Sequence, residues 1–236
     1  MKTRVRSAGL LIAGIALAIC LSACHAVVTP DGTPYTYNND VAGVMLVTAS
    51  TTTGGNDREF LWDGSSPIEA DSTVCAQFYN GTGTDQQGIA LRISESNGNY
   101  EAITVTRNVY LGDWSYINFH TWNTDPTFVA SNGGSPFTLF STVDLSEYLG
   151  TTPEPIYPLD MCARTVGDLA QFIVWKASDP QPAWGSTTQG GQATIPSAAP
   201  AAGQGGWFAG HLAPGTSMFY TNLSVDGIQP PSGAIS

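Results

Sequence analysis

Aromatic and polar side chains alternate in one stretch of the sequence in a pattern that suits contact with sugars. Within residues 114–122, Ile117 and Phe119 share one parity, and the opposite parity holds Trp114, Tyr116, Asn118, His120 and Trp122. Alternate residues of a strand point to opposite faces, so these five side chains would share one face. Aromatic rings pack against sugar C–H groups, and polar atoms bond to hydroxyls. The pattern predicts a ligand-binding sheet face, with packing of the tryptophans under loops or against the core as the open alternative.

A second candidate group shares its strand parity with two cysteines. Cys75 and Cys162 both have the parity opposite to the apolar residues of their predicted strands. A bridge between them would gather four polar or aromatic side chains that we predict as ligand-binding: Gln77, Arg164, Gln171 and Trp175. The alternative, in which Cys162, Ile173 and Trp175 form the buried set, stays open.

The N-terminus has the features of an export signal. Lys2, Arg4 and Arg6 precede an uncharged stretch, 8–21, that is shorter than the roughly 20 residues that span a bilayer. The following Leu-Ser-Ala-Cys, 21–24, resembles a bacterial lipobox. The resemblance implies cleavage before Cys24, attachment of diacylglycerol to Cys24, and a lipid-anchored protein on the extracytoplasmic face of the cell membrane. Several acyl chains would give durable anchoring.

Export determines how the remaining cysteines are interpreted. Cys20 would leave with the leader and Cys24 would carry lipid, so Cys75 and Cys162 would remain. Two cysteines in an oxidising compartment predict one disulfide, with a pair of free thiols as the alternative. The closed loop of nearly ninety residues would make the bridge worth about 4 kcal/mol in the chain-entropy model.

Few residues of the chain are charged, and most of these are acidic. The formal net charge is −11, which disfavours nucleic acid as a partner, and only 11% of residues are charged, which disfavours a helix-rich surface. Arg92 has the parity opposite to the apolar residues around it, as Arg164 does. We expect these two bases to mark the same face as the aromatic residues and to bind ligand there.

Short strands separated by turns dominate the rest of the chain. Asn97-Gly98 predicts a tight hairpin, Gly167-Asp168 predicts another, and Asp144 is predicted to cap a helical turn over 144–149. The low-complexity stretch 186–206 predicts a long surface loop. The predicted organisation is a signal peptide at 1–23, a membrane-proximal spacer at 24–42, one domain at 43–228 and a tail at 229–236. The predicted strands are 43–49, 74–79, 89–93, 101–109, 114–122, 161–166, 169–176 and 218–228.

Three stretches resemble the concanavalin-A-like lectin/glucanase superfamily. They are the strand pair 100–122, the Gly-Trp-Phe-Ala-Gly-His-Leu of 206–212, and the closing aromatic-Thr-Asn-Leu-Ser-Val-Asp-Gly of 220–227. The overall pattern also resembles exported actinobacterial lipoproteins. The resemblance implies an all-β, antiparallel jelly-roll β-sandwich in which the outer face of one sheet forms a concave groove. No cofactor is predicted, although a calcium ion, common in the superfamily, stays open.

The motifs of an enzyme are missing from the sequence. A retaining glucanase of this superfamily needs two carboxylates about 5–5.5 Å apart, commonly from an E-x-D strand motif with a third acid. The acid pairs at 57–59 and 69–71 lack that third acid, and we expect both in solvated loops or turns. His25, His120 and His211 are too far apart in sequence to indicate zinc. No catalytic residue and no metal ligand is therefore predicted.

Three functions remain after these exclusions. The leading hypothesis is a lipid-anchored, non-catalytic protein that binds a neutral glycan or envelope component in the aromatic groove. The alternatives are a divergent glycoside hydrolase or polysaccharide lyase, and an envelope scaffold that contacts proteins through the loop at 186–206. A fold that hosts many functions does not decide between them.

Overall fold

The computed structural model describes residues 25–29, 34–52, 57–80, 85–108, 115–151 and 156–235. The predicted leader, the predicted lipidation site Cys24 and the candidate binding residue Trp114 lie outside these residues. The described elements, in chain order, are β1 (His25–Thr29), β2 (Thr36–Asn38), β3 (Met45–Thr48), β4 (Arg58–Trp62), β5 (Thr73–Asn80), β6 (Gln86–Ser96), β7 (Asn99–Asn108), β8 (Tyr116–Asn123), α1 (Pro126–Ser131), β9 (Phe137–Asp144), α2 (Ser146–Leu149), β10 (Leu159–Val166), β11 (Leu169–Lys176), β12 (Gly190–Thr194), β13 (Gln204–Gly210) and β14 (Ser217–Val225).

Two seven-stranded antiparallel sheets form a sandwich. The first sheet has the order β1-β4-β13-β6-β7-β8-β9, and the second has the order β12-β11-β10-β5-β14-β3-β2. The predicted all-β jelly-roll class is confirmed. The described helices are two short ones. α1 starts at Pro126 behind the N-cap Asp125. α2 has Leu145 at the N-cap position, one residue after the predicted Asp144, but the carboxylate of Asp144 accepts a hydrogen bond from the backbone N–H of Ser146 at 2.8 Å and so caps the helix as predicted.

The core lies between the sheets, and two of the described hydrogen bonds join strands of opposite sheets across it. Trp207, on β13 of the first sheet, donates its indole N–H to the carbonyl oxygen of Cys75 on β5 of the second, at 3.0 Å. Tyr220, on β14, donates its hydroxyl to the carbonyl oxygen of Phe208 on β13, at 2.8 Å. Both donor side chains are fully buried. A buried polar group without a partner is costly, so these two bonds restrict how the sheets can slide over each other.

Both predicted hairpins are present. The β6–β7 turn holds Asn97 and Gly98, whose φ angles of 54° and 77° are those that a two-residue hairpin turn requires. The β10–β11 turn holds Gly167 and Asp168, and every residue from Leu159 to Val166 is paired with β11.

The predicted domain boundaries were too narrow. The segment 24–42, predicted as a spacer, contributes β1, which pairs with β4, and β2, which pairs with β3. The predicted tail 229–236 packs back as well, because Ile235 is buried in the core and its N–H donates to the side chain of Asn39. β2 has only three residues and β1 only five, and strands this short carry too little pattern to be recognised from sequence.

The low-complexity stretch 186–206 is not one surface loop, because it contains β12 and the start of β13. Glycine is required where β12 approaches its neighbours. A Cβ at Gly190 would lie 2.5 Å from the carbonyl oxygen of Phe172, and one at Gly191 would lie 2.8 Å from the side chain of Val143. The glycines that led to the prediction of a loop are therefore needed for the close packing of β12 against its neighbours.

The acid pair at 57–59 is buried, not solvated as expected. Asp57 and Glu59 are both inaccessible to solvent, and Glu59 accepts a 2.8 Å hydrogen bond from the backbone N–H of Tyr35. Burial, with a smaller contribution from the charge of Asp57, raises the pKa of Glu59 from 4.5 to about 7. The other acid pair, Glu69 and Asp71, is exposed as predicted.

Glu59→Gln is expected to remove a pH dependence of stability. The folded protein keeps the Glu59 proton up to about pH 7, whereas the unfolded chain releases it near pH 4.5. The free energy of unfolding therefore falls as the pH rises between these values, by up to roughly 3 kcal/mol for this group. Urea denaturation at pH 5 and pH 8 should show the variant gaining stability relative to wild type at pH 8. An equal difference between the two proteins at both pH values would contradict the assignment.

Candidate functional site

The outer face of the first sheet holds the predicted polar residues of β8. Ile117 and Phe119 are buried in the core between the sheets, so Asn118, His120 and Trp122 point to the opposite side. The predicted parity of this strand is therefore correct.

These residues line a polar cavity of about 150 Å³ on this face, and we call it the polar cavity. It is formed by side chains from β4, β6, β8 and β9 and by the residue that follows β13. Its lining consists of Arg58, Gln86, Asn118, His120, Trp122, Phe137 and His211. Four of these residues were not among the predicted ligand-binding residues: Arg58, Gln86, Phe137 and His211.

Arg58 and His211 form one wall of the polar cavity. The Nη2 of Arg58 lies 2.8 Å from the Nε2 of His211, and its Nη1 donates to the hydroxyl of Thr29 at 3.2 Å. Arginine can only donate, so the Nε2 of His211 accepts and the ring is neutral with its proton on Nδ1. The guanidinium carbon also lies 5.2 Å from the centroid of the Phe137 ring, within the range of a cation–π contact.

His120 faces the Arg58 wall with an unsatisfied ring nitrogen. The side chain is 8% exposed, and its buried Nδ1 has no hydrogen-bond partner among the described residues. Burial, together with the nearby charge of Arg58, lowers the pKa of His120 from 6.5 to about 4. The imidazole is therefore neutral at physiological pH, with one nitrogen that donates and one that accepts.

Asn118 adds an amide to the same strand face. Its carbonyl oxygen accepts a 2.9 Å hydrogen bond from the hydroxyl of Thr142, which fixes the amide plane. Its amide nitrogen has no hydrogen-bond partner among the described residues. A fixed amide donor beside a neutral imidazole can bond to hydroxyl groups.

Trp122 is a packed wall of the polar cavity, not the exposed platform that was predicted. It is 3% exposed, and its indole N–H donates to the hydroxyl of Thr104 at 2.9 Å. The rings of Phe60, Phe137 and Phe208 have their centroids 5.6, 4.9 and 5.6 Å from the tryptophan ring. The tryptophan thus anchors a small aromatic cluster on the outer face of the first sheet. Tyr116, at the start of β8, is half-buried and lies outside the cavity lining.

Arg92 does not belong to the aromatic face, contrary to expectation. The β6–β7 register shifts between Leu91 and Ser94, and Arg92 itself has a φ of 52°. A bulge of this kind redirects a side chain. The guanidinium is consequently buried at one end of the sandwich, where it joins several loops. It donates hydrogen bonds to the carbonyl oxygens of Ala70 (2.7 Å), Gly167 (2.7 Å) and Pro200 (3.3 Å). It also forms an ion pair with the carboxylate of Asp71 at 3.7 Å.

The predicted disulfide is present between Cys75 and Cys162, which are directly opposite each other on β5 and β10. Gln77, Arg164, Gln171 and Trp175 share the outer face of the second sheet with it, as the strand parity predicted. This face lies on the other side of the core from the polar cavity, so Arg164 does not mark the aromatic face. Strand parity separates inner from outer residues, but it does not say which sheet a strand joins.

The described ranges hold no cluster of metal ligands, since no three or more His, Cys, Asp or Glu residues lie close enough there to bind a metal ion. Across the same ranges no helix has the length and apolar character needed to cross a bilayer.

Comparisons with known proteins give distant structural likenesses. The chain is similar to carbohydrate-binding module CBM66 from Bacillus subtilis, with 12% identity, coverage of 86% of this chain and 96% of that one, and a TM-score of 0.48. It is also similar to the exoplasmic/lumenal domain of VIP36 in its Ca2+/Man3GlcNAc-bound form (13% identity, 80% and 84% coverage, TM-score 0.43). A third likeness is the legume lectin-like domain from Entamoeba histolytica (7% identity, 86% and 90% coverage, TM-score 0.43).

No family model matches the sequence, and no curated protein matches it significantly. TM-scores below 0.5 at such identities assign neither a ligand nor a calcium site to this chain. The chemistry of the chain's own residues must therefore indicate the function.

The Cε1–H resonance of His120 should titrate far below the usual range. We expect an NMR midpoint near pH 4, because burial and Arg58 both disfavour the imidazolium. The half-buried ring of His25, on β1, gives a second imidazole signal for comparison in the same spectra. A midpoint at or above pH 6 for His120 would show that the ring is not buried beside a cation.

Proposed function

We propose that this protein binds a neutral glycan through the polar cavity on the outer face of the first sheet. The observation that carries the proposal is the pairing of unsatisfied polar atoms with an aromatic wall. Among the described residues, the buried Nδ1 of His120 and the amide nitrogen of Asn118 lack partners, and both lie beside Trp122 and Phe137. Sugar sites combine a few placed polar groups with aromatic surface in this way.

The charges at the polar cavity favour a neutral ligand. His120 and His211 are neutral, and Arg58 already donates hydrogen bonds to Thr29 and His211. The chain carries a net charge of −11, which repels polyanions at long range. The cavity volume of about 150 Å³ is below the ~300–1,000 Å³ of common small-molecule pockets, which favours a single ring or the end of a chain.

The acids of the chain support binding over hydrolysis. Glycoside hydrolysis requires two carboxyl groups that flank the scissile bond. No Asp or Glu is among the described residues that line the polar cavity, and Glu59 faces the core from the other side of β4. We therefore infer a non-catalytic role for this site.

His120→Ala and Asn118→Ala are expected to weaken glycan binding at least fivefold each, since each removes about one hydrogen bond worth roughly 1 kcal/mol. A neutral-glycan array would supply the ligand, and isothermal titration would give the dissociation constants. Thr36→Ala, on the exposed edge strand β2 of the other sheet, is the matched control and should bind as wild type. An array without binding at millimolar protein, or variants that bind as tightly as wild type, would refute the proposal.

We also propose that the protein is exported and anchored to the cell membrane by lipid on Cys24. The lipobox-like sequence supports this, and so does the short distance to the fold, since β1 begins at the next residue. The rings of His25 and Tyr37 are 4.6 Å apart, so β1 and β2 lie at the same edge of the sandwich. An anchor at Cys24 would hold that edge at the membrane and direct the opposite edge, formed by β9 and β12, outward.

Cys24→Ala should move the protein from the membrane fraction to the soluble extracytoplasmic fraction. The anchor depends on the thiol of this one residue, so its removal should abolish lipid attachment. Cys20→Ala is the control and should fractionate as wild type. Unchanged fractionation of Cys24→Ala would contradict lipid anchoring.

A further inference from the structure

We propose a second ligand site on the outer face of the second sheet, which recognises a sugar unit that bears a single carboxylate. The site, which we call the Arg164 strip, consists of Arg164 on β10, Gln171 on β11, Gln192 on β12 and Trp184 in the β11–β12 connection. It lies across the core from the polar cavity and does not depend on the function proposed for that cavity.

Arg164 is held in one orientation by two contacts. Its Nε donates a 2.8 Å hydrogen bond to the side-chain oxygen of Gln171. Its guanidinium carbon lies 4.1 Å from the centroid of the Trp184 ring, so the cation stacks on the indole. These contacts use the Nε and one flat face of the group. The two Nη groups have no hydrogen-bond partner among the described residues.

No carboxylate of the described residues lies within ion-pair distance of Arg164, whereas Arg92 is paired with Asp71 at 3.7 Å. The nearest acid along the same strand face, Asp160, instead accepts hydrogen bonds from Gln77 at 3.2 Å. A half-buried guanidinium that is oriented but unpaired presents a fork of donors, and this geometry matches the two oxygens of a carboxylate.

An amide row extends the Arg164 strip toward the sheet edge. The Nε2 of Gln171 donates a 2.8 Å hydrogen bond to the Oε1 of Gln192. The amide nitrogen of Gln192, which is exposed, has no further partner among the described residues. Because each amide fixes the next, the row is ordered before a ligand arrives, and its free donors can meet sugar hydroxyls next to the carboxylate.

The charge of the chain favours one carboxylate per binding event. The strip offers one unpaired cation in a chain whose net charge is −11, so a polyanion would gain one favourable contact and meet a repulsive field. At physiological salt this field is screened within about 8 Å, whereas a contact pair at the strip is not. A glycan with one acidic sugar among neutral sugars forms the contact pair with Arg164 and avoids the repulsion that a polyanion would meet.

Cellobiouronic acid and cellobiose are suitable probes, because they differ by a carboxylate in place of one hydroxymethyl group. In an NMR titration of the full chain, cellobiouronic acid should shift the Nε–H signals of Arg164 and Trp184. Its dissociation constant should be at least fivefold lower than that of cellobiose. Arg164→Lys keeps the charge but loses the fork and the stacking, so it should reduce the preference to less than twofold.

A control variant shows whether the preference for the acidic sugar belongs to the Arg164 strip. Lys176→Gln, at the end of β11, removes one positive charge outside the strip and should keep the preference. Both dissociation constants are taken from the Arg164 and Trp184 signals, which lie across the core from the polar cavity, so failure of the proposed neutral-glycan site would remain distinguishable. Equal affinity for the two disaccharides, no shift at Arg164 and Trp184, or an unchanged preference in Arg164→Lys would overturn the proposal.

Discussion

The two hydrogen bonds that cross the core are the constraint on which the rest of the structure depends. Trp207 bonds to the backbone of Cys75, and Tyr220 bonds to the backbone of Phe208, so the central strands of the two sheets are joined in a fixed register. Each strand then has one set of alternate residues committed to the core. The other set is left for the two outer faces, where binding chemistry can be placed without disturbing the fold.

The two outer faces differ in how they hold their polar side chains: by burial on the first sheet and by hydrogen bonding at a half-exposed surface on the second. On the first sheet, Phe60, Trp122 and Phe208 bury one another, and the polar cavity lies beside this cluster, where burial keeps His120 neutral. On the second sheet, the disulfide and the amide row keep polar groups ordered at a half-exposed surface. The first face therefore suits a small uncharged ring, and the second suits an extended ligand that carries charge.

The sequence predicted the elements whose signals are local. The Asn97-Gly98 hairpin, the parity of Asn118 and His120, and the disulfide all follow from residues close in sequence or from the cysteine count. It missed Arg58 as a site residue, because β4 has buried residues on both faces and is separated from β8 in the sheet by β13, β6 and β7. Arg92 was misplaced by a bulge that strand parity does not include. Arg164 was placed on the wrong sheet, because parity carries no information on strand order.

A crystal structure with a neutral oligosaccharide identified by array binding would test the central claim most directly. We predict a sugar ring in the polar cavity, with hydroxyl groups within hydrogen-bond distance of the Asn118 amide and the His120 imidazole, and with one ring face against Phe137. A sugar bound elsewhere with the polar cavity unchanged would contradict this claim. So would a sugar bound between carboxylates.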